Sequence, residues 1–173
     1  MMLEELTENE IAARELRSAA YHEAGHKIIH ARFGGSGHAV VWRNQSGHPD
    51  EKAWLGQYRY WACPEKLRDV AVPHGIMLPV LPPDWRILFG MAGLVAEQIM
   101  AGEIDTGLIA DALDAQIYMG EVSATDLASM GIDDVENFEL RDEAVEKTTQ
   151  YLLEDWWLVE QEAECLIELA SKG

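Results

Sequence analysis

The sequence reads AYHEAGH from Ala20 to His26, in the middle of a segment with the hydrophobic spacing of a long helix. Two histidines four residues apart in a helix, His22 and His26, project from one face and can bind one metal ion together. Glu23, beside the first histidine, occupies the position of the general base in a zinc peptidase. Such a match arises by chance in about one chain of this size in a few hundred. The motif therefore indicates zinc-dependent hydrolysis, with a third ligand elsewhere in the chain.

The segment around this motif predicts a rigid helix followed by a small sheet. Thr7 and Glu10 have the spacing of a capping box, and Gly34 and Gly35 provide a stop. Residues 39–42 and 55–61 have the composition of short strands and are separated by a polar, turn-rich stretch. The simplest arrangement is an antiparallel pair beside the helix.

The remainder of the chain predicts further helices. Residues 64–83 contain five of the six prolines and predict an irregular loop, with one helical turn near residues 65–69. Asp84 is the predicted N-cap of a buried, apolar helix over residues 85–100. Helical segments are expected near residues 108–119 and 125–130. Together these patterns predict one domain, residues 1–173, that is mainly α with a small antiparallel β-sheet.

The C-terminal region carries a long amphipathic stripe. Its apolar residues alternate steps of four and three: Leu152, Trp156, Val159, Ala163, Leu166 and Ala170. We expect this helix to fold back on the core of its own chain. A homo-oligomer formed through it is the alternative use.

Charge and composition restrict the expected partners and compartment. The chain has 31 acidic and 13 basic side chains and a formal net charge of −18. Such a surface repels phosphate groups, so we expect no nucleic-acid partner and no membrane partner. The sequence has no apolar run of the about 18 to 20 residues that span a bilayer, and MMLEELTENE at its start lacks the features of a signal peptide. Cys63 and Cys165 are isolated, so the expected location is cytoplasmic.

A catalytic zinc takes three protein ligands and a water. A thermolysin-type arrangement makes Glu97, in the later apolar helix, a candidate for the third ligand. A metzincin arrangement needs a histidine six residues after His26, where Arg32 stands, so that class is excluded. His30 extends the histidine face, but three stacked histidines cannot all reach one ion, so we expect it to pack or to support a ligand. His74, in the proline-rich loop, is a candidate for approaching the site.

Several segments resemble FtsH-type zinc proteases. AYHEAGH, with Ile28 and Ile29 after it, resembles the zinc-helix motif of that family, and residues 55–57 resemble part of its small sheet. Residues 91–99 resemble its Gly-Gly-Arg-x-Ala-Glu-Glu helix, with Leu94 in place of the arginine and Gln98 in place of the second glutamate. The resemblance covers about residues 15–130 and implies a zincin-like, FtsH-type fold.

The resemblance also implies that an aspartate completes the zinc site. In this family the aspartate lies near the start of the next helix, in a Thr-Gly-Ala-x-x-Asp context. Thr106-Gly107 precede Asp111 at that spacing, so Asp111 is the favoured third ligand. Asp126, after Ser123, is the alternative, which requires an additional helix between it and Glu97. Glu97 is the remaining candidate.

The predicted function is a stand-alone zinc metalloendopeptidase, with zinc bound by His22, His26 and Asp111 and with Glu23 as the base. FtsH-type proteases also carry membrane segments and an AAA+ ATPase domain, whereas this sequence contains no phosphate-binding loop of the Gly-x-x-x-x-Gly-Lys-Ser/Thr type. The expected substrates are therefore flexible peptides or unfolded protein segments, or proteins delivered by a separate unfoldase. The alternative is a catalytically inactive, metal-stabilised binding or regulatory protein derived from such a peptidase.

Overall fold

A computed structural model describes residues 5–173; residues 1–4, which begin the predicted domain and its acidic N-terminal segment, lie outside the described part. The described chain is mainly helical with one two-stranded antiparallel sheet, which confirms the predicted secondary-structure class. The elements are α1 (Glu8–Arg32), β1 (Ser36–Arg43), β2 (Trp54–Ala62), α2 (Pro64–Ala71), α3 (Trp85–Met100), α4 (Thr106–Tyr118), α5 (Ala124–Met130), α6 (Asp142–Glu154) and α7 (Trp156–Ser171).

Helix α1 begins and ends where the sequence predicts. The Thr7 hydroxyl accepts a hydrogen bond from the Glu10 backbone N–H at 3.2 Å, and the Glu10 carboxylate accepts one from the Thr7 backbone N–H at 2.8 Å. This reciprocal pair satisfies two of the backbone donors that a helix start leaves free. The helix ends before Gly34, whose φ of 86° suits glycine.

Helix α3 is the centre of the fold and packs on α1, α4, α5 and α6. Its contact with α1 is unusually close at Gly25, inside the histidine motif. A Cβ atom at Gly25 would lie 2.6 Å from the Ala96 Cβ atom and 2.7 Å from the Ala92 carbonyl oxygen. Because only glycine allows this approach, the histidine-bearing turn of α1 is pressed directly against α3.

The two strands form a sheet that lies against α1. In their register Ala39 is opposite Tyr58 and Val41 is opposite Gly56, and an irregularity follows Ser36. The predicted strand pair is confirmed, with each strand somewhat longer than expected. Within residues 5–173, β2 pairs with β1 alone, so its second edge has no strand partner.

Two segments differ from the sequence-based expectation. The first, the proline-rich stretch, contains an eight-residue helix, α2, and a 3-10 turn at Val72–His74 where one turn was expected. Pro64 is compatible with this helix because it stands in the first turn, where a backbone N–H has no intrahelical acceptor.

The second difference is at the C-terminus, where the amphipathic stripe is divided between α6 and α7. The helices meet at Asp155, which has a non-helical φ of −106° and ψ of 17°. Leu152, Val159, Ala163 and Leu166 are buried in the chain's own core, as expected, with α7 lying along α1. Association of two copies through this region stays a prediction.

Asp84 precedes α3 as predicted, but its carboxylate makes no capping hydrogen bond and lies 3.7 Å from the Lys147 ammonium.

Among residues 5–173, no helix combines the length and the hydropathy that crossing a membrane requires.

Candidate metal centre

Three side chains from two helices converge on one point. The Nε2 atoms of His22 and His26 lie 3.1 Å apart. One carboxylate oxygen of Asp126 lies 3.0 Å from the His22 Nε2 atom, and the other lies 3.2 Å from the His26 Nε2 atom. The three residues thus form a group that could hold a metal ion.

The opposite ring nitrogens of both histidines are fixed by hydrogen-bond acceptors. His26 Nδ1 lies 2.8 Å from the carbonyl oxygen of Phe89, and His22 Nδ1 lies 2.8 Å from a carboxylate oxygen of Glu97. A carbonyl and a carboxylate only accept, so both Nδ1 atoms carry the hydrogen. This is the arrangement that orients metal-binding histidines, because it leaves Nε2 as the free electron-pair donor.

The convergence of three acceptors favours a positive charge between them, either a metal ion or protons on the imidazoles. With Nδ1 protonated, the two Nε2 atoms and the Asp126 carboxylate all present lone pairs to each other. Burial alone lowers the pKa of His22, but hydrogen bonds to Asp126 and Glu97 outweigh it and raise that pKa well above its usual value. Burial raises the pKa of Asp126, yet the charge of His26 and the hydrogen bonds from both histidines bring it well below the usual range. In the absence of a metal, these contacts would be hydrogen bonds to the Asp126 carboxylate from Nε2 atoms that have bound a proton.

The spacing and chemistry of the donors fit zinc. Zinc–ligand bonds of about 2.0 to 2.1 Å at tetrahedral angles place neighbouring ligand atoms about 3.3 Å apart. The two Nε2 atoms are 3.1 Å apart, slightly less than that value. The Asp126 carboxylate reaches the two Nε2 atoms at 3.0 and 3.2 Å, with a different oxygen in each contact. Two imidazoles and one carboxylate are also a donor set that zinc accepts, with the fourth position left for water.

Glu23 lies beside this group and is buried, with 7% of its surface exposed. Burial raises the pKa of its carboxyl, and the charges of His22 and His26 act in the opposite direction. Gly56 of β2 makes room for it, since a Cβ atom there would lie 2.6 Å from the Glu23 Cγ atom. The sheet therefore covers the glutamate closely and restricts its position.

A second glycine makes room for the metal-binding face. A Cβ atom on Gly93 of α3 would lie 2.5 Å from the His22 Nε2 atom. Any larger residue at this position displaces the imidazole from the group. Motif reasoning missed three residues at this site, Phe89, Gly93 and Gly56, since their contacts depend on the packing of α1 against α3 and β2.

Asp126 reaches the histidines because of how α5 begins. The Ser123 hydroxyl accepts a hydrogen bond from the Asp126 backbone N–H at 3.2 Å and caps the helix. In a full capping box the Asp126 carboxylate would return to the Ser123 backbone; here it contacts the two histidines instead. The additional helix that this alternative requires is present, as α4.

The structure corrects the choice of Asp111 as the third ligand. The buried face of α4 carries Ile109, Leu113 and Ile117, and Asp111 lies two residues from the first two, on the opposite, exposed face. It shares a surface depression with other acidic residues: Asp105, Asp114, Asp142 and Glu146. Asp126, and not Asp111, is therefore the aspartate that the fold brings to His22 and His26.

The other candidates have different positions. Glu97 contacts His22 on the ring nitrogen that faces away from the convergence point, so it orients the ring and does not join the ligand group. His30 is fully buried, and its Nδ1 atom lies 2.5 Å from the Tyr58 hydroxyl, as expected for a packing residue. His74 is exposed in the 3-10 turn.

A groove passes over the centre and widens into two recesses. Both recesses are lined by the same central residues: His22, Glu23, Gly56, Ser123 and Asp126. The polar recess, of about 340 Å³, adds Arg14, Glu15, Lys52 and Glu121. The aromatic recess, of about 410 Å³, adds Trp42, Tyr58, Tyr60 and Phe89. A chain lying in the groove would pass directly over Glu23.

Comparison with known proteins adds no family to these observations. No family model matches the chain, and no curated protein matches it significantly. The residues and geometry of the chain itself are therefore the basis for inferring its function.

Proposed function

We propose that this protein is a zinc-dependent metalloendopeptidase of FtsH-like, zincin-type architecture. His22, His26 and Asp126 would hold the zinc, and Glu23 would act as the general base. The observation that carries the proposal is the convergence of two histidine Nε2 atoms, 3.1 Å apart, with the Asp126 carboxylate, whose two oxygens lie 3.0 Å from one Nε2 atom and 3.2 Å from the other. This group lies next to a buried glutamate in an open groove.

The chemistry divides between the metal and Glu23. Zinc held by these three residues would supply a polarised water whose pKa lies nearer neutrality. Glu23 would accept a proton from that water and pass it to the nitrogen of the leaving amine. Burial favours the neutral form of this carboxyl, which helps it retain the proton between the two steps. Phe89 and Glu97 keep both imidazoles oriented throughout.

The groove accounts for the proposed substrate class. The unpaired edge of β2 offers backbone hydrogen bonds to an extended peptide, as in other complexes where a peptide adds a strand. An extended peptide fits this groove better than a folded domain, so we propose flexible peptides and unfolded segments as substrates. From the sequence alone, we also propose that a separate unfoldase can deliver substrates and that the protein is located in the cytoplasm.

The decisive experiment compares Glu23→Gln with Glu136→Gln. Glu136 is an exposed glutamate that lines neither recess of the groove. Glu23→Gln should retain one equivalent of zinc while its peptide cleavage falls by about 10²- to 10⁴-fold, the usual contribution of a general base. Glu136→Gln should retain both zinc and cleavage. Undiminished cleavage by Glu23→Gln would refute the role of Glu23.

A second function is favoured by the way the centre joins separate elements. An ion bound by His22, His26 and Asp126 would tie α1 to α5 whether or not a peptide is cut. The alternative is therefore a metal-stabilised binding or regulatory protein without catalysis. In that case zinc would raise the Tm of the wild-type protein, while a broad peptide library incubated with the zinc-loaded protein would remain uncut.

A further inference from the structure

We propose that the aromatic recess selects an aromatic side chain of the substrate, in the residue next to the scissile bond. This inference rests on the proposed peptidase function and names its substrate preference. The recess would act as the specificity pocket, with Tyr58, Tyr60 and Phe89 as its wall.

The wall is a continuous aromatic surface. The ring centroids of Tyr58 and Tyr60 lie 6.5 Å apart, and those of Tyr58 and Phe89 lie 5.8 Å apart. Tyr60 meets Phe89 edge to face, with centroids 6.1 Å apart and ring planes at 85°. These spacings fall in the range of favourable aromatic pairs, and an additional ring can extend the same packing.

The wall directly adjoins the candidate metal centre. The Phe89 ring lies 5.1 Å from the His26 ring, and the Phe89 carbonyl accepts the His26 hydrogen bond. Glu23 and Asp126 line the same recess. A side chain seated against Phe89 thus belongs to a residue beside the bond that Glu23 reaches.

The chemistry of the recess favours an apolar ring over a charged side chain. Outside the candidate metal centre, the aromatic recess is lined by uncharged residues, which include Gln57, Thr125 and Ser129 beside the aromatic wall, whereas the polar recess has the charged residues Arg14, Glu15, Lys52 and Glu121. A charged substrate side chain would lose water in the aromatic recess and gain only neutral hydrogen-bond partners there, with no oppositely charged residue outside the centre. A phenyl or indole ring loses little hydration and gains aromatic contacts, and a space of about 410 Å³ is sufficient for it.

The inner part of the wall is held rigidly. The Tyr58 hydroxyl is 2.5 Å from His30 Nδ1, and the His30 ring packs against Tyr58, Tyr60 and Phe89 with centroids 5.0 to 5.4 Å away. Tyr60, in contrast, is half exposed. A substitution at Tyr60 therefore changes the recess without removing a buried residue from the core.

The test uses quenched fluorescent peptides that carry either phenylalanine or alanine at each position in turn. The wild-type, zinc-loaded protein should cut beside phenylalanine with a kcat/KM about 10- to 100-fold higher than beside alanine, the range expected for one well-filled apolar pocket. Tyr60→Ala should bring this ratio close to one, and Tyr60→Phe should preserve it. Trp61→Ala is the matched control, since Trp61 is more exposed, stacks on His38 and does not line the recess.

A binding measurement separates this inference from the peptidase assignment. Calorimetry with zinc-loaded Glu23→Gln should show tighter binding of the phenylalanine peptide than of the alanine peptide, and the added Tyr60→Ala change should remove the difference. Cleavage without any phenylalanine preference would overturn the specificity pocket and leave the peptidase intact. Selective binding without cleavage in the wild type would overturn the peptidase and leave the pocket. Equal binding of both peptides would overturn the pocket whatever the activity.

Discussion

One face of α1 carries three histidines, but the environment of His30 differs from that of His22 and His26. Carboxylates face His22 and His26, and burial is outweighed by hydrogen bonds that raise the pKa of His22 well above its usual value. Aromatic rings surround His30, whose pKa is lowered to about 4 by burial and then by the charge of His26. The helix supplies the spacing, but the packed elements decide which histidines can bind a metal.

The difference originates in the elements that pack on each turn of α1. The turns of His22 and His26 face α3 and α5, which bring Glu97, the Phe89 carbonyl and Asp126. The turn of His30 faces β2 and the start of α3, which bring Tyr58 and Trp85. Candidate ligands for a metal ion therefore meet at the level of His22 and His26, whereas aromatic rings surround His30.

The largest expected effect separates the two kinds of histidine directly. His26→Ala should lower zinc affinity by more than the about 10- to 100-fold that removal of an outer hydrogen-bond partner costs. His30→Gln should leave the affinity within about threefold, because a residue outside the ligand set contributes only indirectly. Competition with a chromophoric chelator measures both. An equal loss in the two variants would contradict the distinction between these histidines.

The second effect tests which aspartate belongs with His22 and His26. Asp126→Asn removes a charged ligand and should weaken zinc binding by more than about 100-fold, whereas Asp111→Asn should leave it unchanged. Asp111→Asn should also raise the free energy of unfolding slightly at neutral pH. The pKa of Asp114 is raised by burial and then by the charges of Asp111 and Asp142, so removing one charge relieves repulsion. Zinc loss on Asp111→Asn would restore Asp111 as the ligand.

The third effect concerns the orientation of His22. Glu97→Gln keeps the size of the side chain but removes the carboxylate that accepts from His22 Nδ1, and it should reduce zinc affinity by about 10- to 100-fold. Glu103→Gln, a change at a partly exposed residue after the same helix, serves as the control. A loss as complete as that of Asp126→Asn would mean that Glu97 binds the metal itself.

The smallest effect is the acid response of His30. Its folded-state pKa of about 4 is below the unfolded value of 6.5, so only the unfolded chain binds this proton between those limits. The contribution of neutral His30 to the free energy of unfolding is therefore fully present above about pH 6.5, and it is lost as the pH decreases toward 4. Between about pH 7 and about pH 4.5 the wild type should lose about 2 kcal/mol more than His30→Gln.

Urea unfolding in the presence of a chelator measures this difference and removes the contribution of the metal. His30→Gln has its own cost at neutral pH, but that cost cancels when the two pH values are compared within each variant. Parallel pH dependence in the two proteins would show that His30 is protonated in the fold.

The sequence was sufficient to predict the features that depend on local spacing. Four features are recognisable from the spacing of nearby residues alone: the capping box at Thr7, the histidine pair, the strand pair and helix α3. The sequence did not predict the helix at Pro64–Ala71, because the proline content of that stretch indicates a loop. It did not predict the break at Asp155 either, because the apolar stripe continues across that position.

The third ligand could not be chosen from the sequence, since both aspartates have plausible local settings. Asp111 follows a Thr-Gly pair, and Asp126 stands three residues after a capping serine. The decision depends on which face each helix buries: α4 turns Asp111 toward solvent, while α5 lies against α3 and turns Asp126 toward α1. The same holds for Gly56 and Gly93, whose importance is visible only from the atoms that a side chain there would meet.

His22 and Asp126 are 104 residues apart along the chain, so an ion bound at the candidate metal centre would connect distant parts of the sequence. An ion held by both would close a loop that contains the sheet, α2, α3 and α4, and so act as a reversible cross-link. Closing a long loop reduces the conformational entropy of the unfolded chain, with a cost that grows only slowly with loop length. The seven-residue helix α5 would be fastened at its first turn by the ion. Metal occupancy would then govern how readily the segment that follows α4 is released from the core.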